Sequence, residues 1–168
     1  MKLPKKNGFT LIELMVVVML WALIAQITTT YFYTFDSFIV RSEIMNLRMF
    51  CQKTRYDAIS SGLEQTITID TTTQRYYTAD YTYTLPPAVH FGTIDNALGP
   101  PSSPQTPIKA LCTFNNNKIH FYADGTISSG IIYIVDRNKK VGYALSNGVG
   151  AVSYLRIYRY DKKKWIAL

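Results

Sequence analysis

The feature that most constrains this chain is an apolar run from Phe9 to Ile27, which contains a single ionisable residue, Glu13. As a helix rising about 1.5 Å per residue, the run measures about 28 Å, close to the ~30 Å hydrocarbon thickness of a bilayer. The residues before it include three lysines and no acidic residue. Because lysines that flank a span stay on the cytoplasmic side, we expect a single-pass helix that places the rest of the chain across the membrane.

Glu13 is the unusual residue of this run. An ionised carboxylate near the bilayer centre costs about 2.5–3.5 kcal/mol on insertion scales, so it needs a cationic partner. If the chain were cut between Gly8 and Phe9, the new amino group would lie four residues from Glu13, within reach on the same or a neighbouring helix. The alternative is an ordinary secretory signal, which fits less well because its apolar region would contain an acid and because Ala22 and Ala25 do not form an A-x-A cleavage site.

The segment from Gly8 to Leu14 resembles the amino-terminal motif of the prepilins of type IV pili and type II secretion systems, in which a basic leader and a glycine precede Phe-Thr-Leu-Ile-Glu. The resemblance implies cleavage after Gly8 by a prepilin peptidase and N-methylation of Phe9. It also implies that Glu13 pairs with the amino terminus of a neighbouring subunit during assembly into a filament. Many members have a proline where this chain has Thr30, so we expect a helix that runs straighter or bends elsewhere.

The helix is predicted to continue past the apolar run, because no glycine or proline occurs between Tyr31 and Gly62. Five residues recur on one helical face and are expected to pack against a sheet: Val40, Ile44, Leu47, Cys51 and Ala58. The charged residues of this segment are expected to face solvent: Arg41, Glu43, Arg48, Lys53, Arg55 and Asp57. Ser60-Ser61-Gly62 predicts the end of the helix, with Gly62 as a left-handed cap.

After Gly62 the apolar period changes to the alternation typical of strands. Strands are predicted over residues 64–70, 75–84, 88–93, 118–122, 130–135, 141–146, 150–160 and 165–168. Asn96 to Pro107 contains four prolines and predicts a flexible surface loop, with an interaction element as the alternative. Asp124-Gly125 and Asn147-Gly148 predict tight turns.

The expected fold class is therefore α+β and type IV pilin-like: one long N-terminal helix, about residues 9–61, packed on a C-terminal antiparallel β-rich head. The predicted organisation has four parts. They are a leader peptide over 1–8, a transmembrane and polymerisation helix over 9–29, an amphipathic half of the stalk helix over 30–62, and a globular head over 63–168. Roughly 110 residues remain for the head, which is the size of one small domain.

Residues 118–152 are loosely similar to the carboxy-terminal part of the H-type minor pseudopilins of type II secretion and the T-type fimbrial minor pilins. The similarity rests on an aromatic residue before Asp124-Gly125, the Gly130-Ile131-Ile132 strand and a glycine-containing turn. The family often has Gly-Arg in that last turn, whereas Gly148-Val149-Gly150-Ala151 contains no arginine. Any function that depends on the arginine is therefore in doubt for this chain.

The sequence does not predict an enzyme. His90 and His120 lie in separate predicted strands without the spacing of metal ligands, and no nucleophile, P-loop or paired-carboxylate motif occurs, so neither a metal nor a cofactor is expected. Cys51 and Cys112 are the only cysteines. An exported chain with an even number of cysteines favours a disulfide between them, and the alternative is two small buried apolar side chains.

Basic residues alternate with aromatic ones near the carboxyl terminus, a pattern that can bind nucleic acid. The candidate DNA contacts are Arg156, Arg159, Lys162, Lys163 and Lys164, although a solvated turn and strand edge explain the same pattern. Three hypotheses remain: a minor pilin or pseudopilin, a DNA-binding minor pilin of a DNA-uptake pilus, and a secreted domain without a filament. The first predicts other pilins, a prepilin peptidase and an inner-membrane assembly platform as partners. It also predicts an inner-membrane protein with a periplasmic head, later part of a periplasmic or surface filament.

Overall fold

The computed structural model of the chain describes the backbone of residues 10–148, 154–161 and 163–168, and the side chains within these ranges except those of residues 27–36. The chain forms two compact units, Met1–Phe35 and Asp36–Leu168. The predicted leader, the cleavage site at Gly8 and Phe9, the turn after Gly148 and Lys162 lie wholly or partly outside the described residues.

Helix α1 comprises Leu11–Ser61. It ends where the sequence predicts, because Gly62 adopts the left-handed conformation with φ +68° and so turns the chain out of the helix. In the part of the chain that the structure describes, no helix is long and apolar enough to cross a membrane.

Among the residues that the structure describes, nine strands form two antiparallel sheets. The strands are β1 (Gln65–Asp70), β2 (Arg75–Tyr77), β3 (Thr82–Thr84), β4 (Val89–Phe91), β5 (Lys118–Phe121), β6 (Gly130–Asp136), β7 (Gly142–Asn147), β8 (Leu155–Asp161) and β9 (Lys164–Ala167), and a short 3₁₀ helix, Asn115–Asn117, precedes β5. The four-stranded sheet has the order β3-β2-β1-β5 and the five-stranded sheet the order β4-β6-β7-β8-β9. The α+β class with antiparallel pairing is confirmed.

The predicted strand over 75–84 is wrong in one respect, because it is two strands rather than one. The amide of Thr78 donates to the carbonyl of Tyr81 at 2.8 Å, closing a turn between β2 and β3. The amide of Tyr81 in turn donates to the Thr78 hydroxyl at 3.2 Å. A threonine side chain that accepts a hydrogen bond from a nearby backbone amide can replace the hydrogen bonds between strands with a turn. The alternating sequence pattern alone does not reveal this turn.

One core joins the helix to both sheets within the second unit. The predicted stripe of Val40, Ile44, Leu47, Cys51 and Ala58 is confirmed, since each of these side chains has 0 % exposure. Their partners come from one face of each sheet: Ile67, Ile69 and Tyr76, Ile119 and Phe121, Ile132 and Ile134, Tyr143 and Leu145, and Leu155 and Ile157.

Glu43 corrects the prediction that the charged helix residues face solvent. The side chain is 7 % exposed, and its Oε2 accepts a hydrogen bond from the Tyr83 hydroxyl at 2.9 Å. Asn46 donates to Oε1 at 3.3 Å. The strand β3 that carries Tyr83 covers this side of the helix and supplies the donor that a buried carboxylate needs.

The proline-containing loop contacts the five-stranded sheet near its start. Trp165 Nε1 donates to the carbonyl of Leu98 at 2.7 Å, and the amide of Gly99 donates within the loop to Thr106 at 3.0 Å. Gly99 has φ +129°, and a Cβ there would lie 2.2 Å from Trp165 Nε1, so only glycine fits against the indole. The loop therefore contacts the sheet at Leu98 and Gly99, and the flexibility predicted for the loop stays a prediction.

Candidate functional site

The first candidate site is the start of helix α1, where Thr10 and Glu13 form a reciprocal pair. The Thr10 amide and hydroxyl donate to Glu13 Oε2 at 2.8 and 2.9 Å. The Glu13 amide donates back to the Thr10 hydroxyl at 3.3 Å. This is a capping box, in which the two side chains satisfy amides that the first helical turn leaves without partners.

The capping box fixes the direction of the Glu13 carboxylate. It turns back along the helix toward Thr10, whose amide lies 2.8 Å from Oε2. The sequence analysis predicted an amine as the partner of Glu13, near the positive end of the helix dipole, and did not predict the bond to Thr10. The signal for it was available, since a threonine followed three residues later by a glutamate, ahead of an apolar run, is the signature of this cap.

The side chains that follow Glu13 are apolar and exposed on all sides of the helix. Met19, Trp21 and Ile24 expose 63, 69 and 55 % of their surface, and the other large apolar residues between Leu14 and Leu23 are similarly exposed. A helix that is apolar all round is stable only inside lipid or inside a protein core.

The motif carried by this segment can be compared with known families. Residues 3–25 match the prokaryotic N-terminal methylation motif. The match includes the leader from residue 3 onward, the Gly8-Phe9 junction, the capping box and most of the apolar run, and it confirms the prepilin-like character of the amino terminus. It does not reach the head, so the likeness of residues 118–152 to H-type and T-type minor subunits stays a prediction. No curated protein and no solved structure matches the chain significantly.

Among the candidate residues of this motif, the structure describes Glu13. Gly8 and Phe9 lie outside the described residues. Cleavage after Gly8, methylation of Phe9 and pairing of Glu13 with a neighbouring subunit therefore stay predictions. The structure confirms that Glu13 lies in the first turn of the helix, where the partial positive charge of the helix amino terminus favours an anion.

The candidate DNA contacts are not brought together on one surface. Arg156 and Arg159 are three residues apart in β8, so their side chains point to opposite faces of the sheet. Lys164 shares the face of Arg159 and lies directly opposite Asp161 in the pairing of β8 with β9. Lys163 is exposed in the turn between these strands, and Lys162 lies outside the described residues.

A groove of about 800 Å³ lies beside Arg156 on the face of the five-stranded sheet that points away from the core. Ile131, Ser146 and Arg156 line it as successive cross-strand partners on β6, β7 and β8. The proline loop, Tyr154 and Tyr158 are also part of the lining. The Arg156 guanidinium lies 4.4 Å from the centre of the Tyr154 ring, which holds the cation in a fixed place through a cation–π contact.

Both cysteines are free thiols in the structure, and both are buried. Cys51 lies on the helix stripe and Cys112 next to Ile132, with which it forms an isolated antiparallel bridge. Burial raises the pKa of the Cys51 thiol to about 12 and raises that of Cys112 as well. Neither thiol is therefore activated as a nucleophile at neutral pH, and the disulfide stays a prediction.

The two histidines lie in different sheets. His120 Nδ1 is 2.5 Å from Glu64 Oε1 at the exposed end of the β1–β5 pair. His90 is on β4, where burial lowers its pKa and the positive charge of Lys139 adds to that shift. No group of three or more His, Cys, Asp or Glu side chains that could hold a metal ion occurs among the described residues.

Proposed function

We propose that the chain is a minor subunit of a type II secretion pseudopilus or of a type IV pilus. In this proposal it is made as a prepilin with its leader in the cytoplasm and its head in the periplasm. A prepilin peptidase cuts after Gly8, Phe9 is methylated, and the helix leaves the inner membrane to pack against other pilins. The chain acts as a structural subunit and performs no catalysis.

The observation that carries this proposal is the match of residues 3–25 to the methylation motif. Two properties of the same segment support it. The apolar side chains after Glu13 are exposed, as expected of a helix that is covered by lipid before assembly and by other subunits afterwards. The Glu13 carboxylate already accepts a bond from the Thr10 amide, one residue from the amine that cleavage would create.

Mechanistically, the amine and the carboxylate solve the same physical problem. Each would be a costly unpaired charge in lipid or in an apolar filament core. When one subunit supplies the amine and another supplies Glu13, both charges are neutralised at one axial position. This ion pair stabilises one register between adjacent helices. The apolar contacts around it stabilise the association, and the ion pair determines the axial position of each subunit.

To test this, the full chain is expressed in a host that forms pili or pseudopili and supplies the prepilin peptidase and the assembly platform. Mass spectrometry of the mature protein should find the chain starting at Phe9 with the mass of one added methyl group. Glu13→Ala should still be cut but should reach sheared filaments at least about tenfold less, because the partner amine loses its counter-charge. Asp80→Ala, which removes an exposed acid of the head, is the matched control and should assemble normally.

Two results would contradict the proposal. A mature chain that begins near Thr28 would show processing as an ordinary secretory signal. Unchanged incorporation of Glu13→Ala into filaments would show that the acid does not pair during assembly.

A further inference from the structure

Helix α1 carries a second apolar stripe in the second unit, on the side away from the buried one. Phe38, Met49 and Tyr56 expose 69, 66 and 70 % of their surface, although they belong to a helix whose other face enters the core. With 3.6 residues per turn, these three lie within about 20° of one line, and the buried stripe lies about 160° away. Exposed large apolar residues in a row on one helix face indicate a surface that another molecule covers.

The spacing along this stripe is that of a coiled coil. From Phe38, steps of four and three residues pass through Ser42, Met45, Met49, Gln52 and Tyr56 and end at Ile59. Five of these seven residues are apolar, and Met45 lies at the border where the stripe meets the core. A helix with apolar residues at alternating steps of three and four presents a seam that receives the side chains of a second helix. We call these seven residues the outer seam.

The residues that flank the outer seam are basic or neutral. On one side, Arg41, Arg48 and Arg55 recur at every seventh position. Arg41 is exposed, and the other two are partly buried; Arg55 also donates from Nε to the carbonyl of Gly125 at 2.7 Å. The other flank contains Ile39, Asn46, Lys53 and Ser60, so neither flank has a carboxylate.

This charge pattern argues against a second copy of the chain as the occupant. In a parallel pair of identical helices, Arg48 would face Lys53 of the other copy, and in an antiparallel pair the arginine rows would face each other. Like charges at these flanking positions disfavour a pairing and opposite charges select it. A helix with acidic residues beside its own apolar seam meets both requirements.

We propose that the outer seam docks a helix of a different protein, one whose apolar seam is flanked by glutamate or aspartate. The inference rests on the proposed function, because it names the kind of neighbouring subunit that a minor pilin would contact. It concerns the head half of the helix, however, and does not involve Phe9 or Glu13. The arginine row then sets partner choice, and Phe38, Met49 and Tyr56 supply the buried contact area.

The test uses the full chain in mild detergent and two labelled helical peptides of four heptads. Both peptides have leucine and isoleucine along the seam, and one has glutamate at the flanking positions where the other has lysine. Fluorescence anisotropy should show the glutamate peptide binding about tenfold more tightly than the lysine peptide, with the difference shrinking as salt is raised. Met49→Glu should abolish binding of the glutamate peptide. Arg41→Glu should weaken binding of the glutamate peptide and reduce the difference in affinity between the glutamate and lysine peptides.

Ile166→Glu is the control, since it places the same charge at an exposed apolar position on β9 and should leave binding unchanged. Equal binding of both peptides, binding of neither, or retention of binding by Met49→Glu overturns the proposal. So does a chain that dimerises through the seam, seen as a dimer by analytical ultracentrifugation that Met49→Glu dissociates. The filament test with Glu13→Ala does not depend on the outer seam. A negative result in the peptide-binding test therefore leaves the filament test interpretable, and a negative filament test leaves the peptide-binding test interpretable.

Discussion

Leu47→Ala tests whether the buried stripe of helix α1 holds the head together. The Leu47 side chain has 0 % exposure and belongs to the core shared by the helix and both sheets. The change removes three carbons, worth about 2.4 kcal/mol at about 0.8 kcal/mol each, and leaves a cavity that adds about 1 kcal/mol. We expect a loss of about 3 kcal/mol in the free energy of unfolding.

The assay is guanidinium unfolding of the full chain in mild detergent, followed by the near-ultraviolet circular dichroism of the head tyrosines. With a denaturant slope of about 4 kcal/mol per molar, the midpoint should fall by about 0.8 M. Met49→Ala, two residues away on the same helix and 66 % exposed, is the matched control. Leucine and methionine have similar helix propensities, so the control should shift the midpoint by no more than about 0.1 M. Equal shifts for the two variants would refute the assignment of the core face.

Two further predictions concern the reactivity of the cysteines and the packing of Gly130 against the Phe114 ring. Because burial raises the pKa of the Cys51 thiol to about 12, the folded chain at pH 8 should resist iodoacetamide at Cys51 and Cys112. Both should label once guanidinium is added without reductant, and failure to label then would reveal a disulfide. Gly130→Ala places a Cβ 2.5 Å from the Phe114 ring and should lower stability by about 1–3 kcal/mol in the same unfolding assay. Gly148→Ala, whose added Cβ meets no atom of the described residues within 4 Å, should be neutral, and equal losses would contradict the close packing.

Much of the fold follows from local patterns. The buried helix stripe follows from spacing alone, because residues three and four apart share a helix face wherever the helix lies. The helix end at Gly62 follows from the chemistry of one residue, which can adopt a positive φ at no steric cost. Most strands follow from alternation, and the turn at Gly125 from its Asp-Gly pair, since φ is +80° there. These features depend on neighbours in the chain and need no knowledge of distant contacts.

The motif at the amino terminus is also local. Its leader, glycine, apolar run and acid occupy consecutive positions, so residues 3–25 are sufficient for its recognition. The outer seam was equally present in the sequence as steps of three and four. Ser42 and Gln52 interrupt it, so the continuous stripe of Val40 to Ala58 was the better prediction for the core, and only the packed structure shows that most apolar residues of the outer seam are exposed.

By itself, therefore, the sequence determined the α+β class, the end of the helix, its core face and the prepilin-like amino terminus. Only the tertiary structure decided that Glu43 is buried beneath Tyr83, that the proline loop is fastened to Trp165, and that Arg156 faces the outer groove while Arg159 points to the opposite face. The reason is physical. Spacing along a chain specifies which side chains share a face, whereas burial and pairing depend on what another part of the chain places against that face.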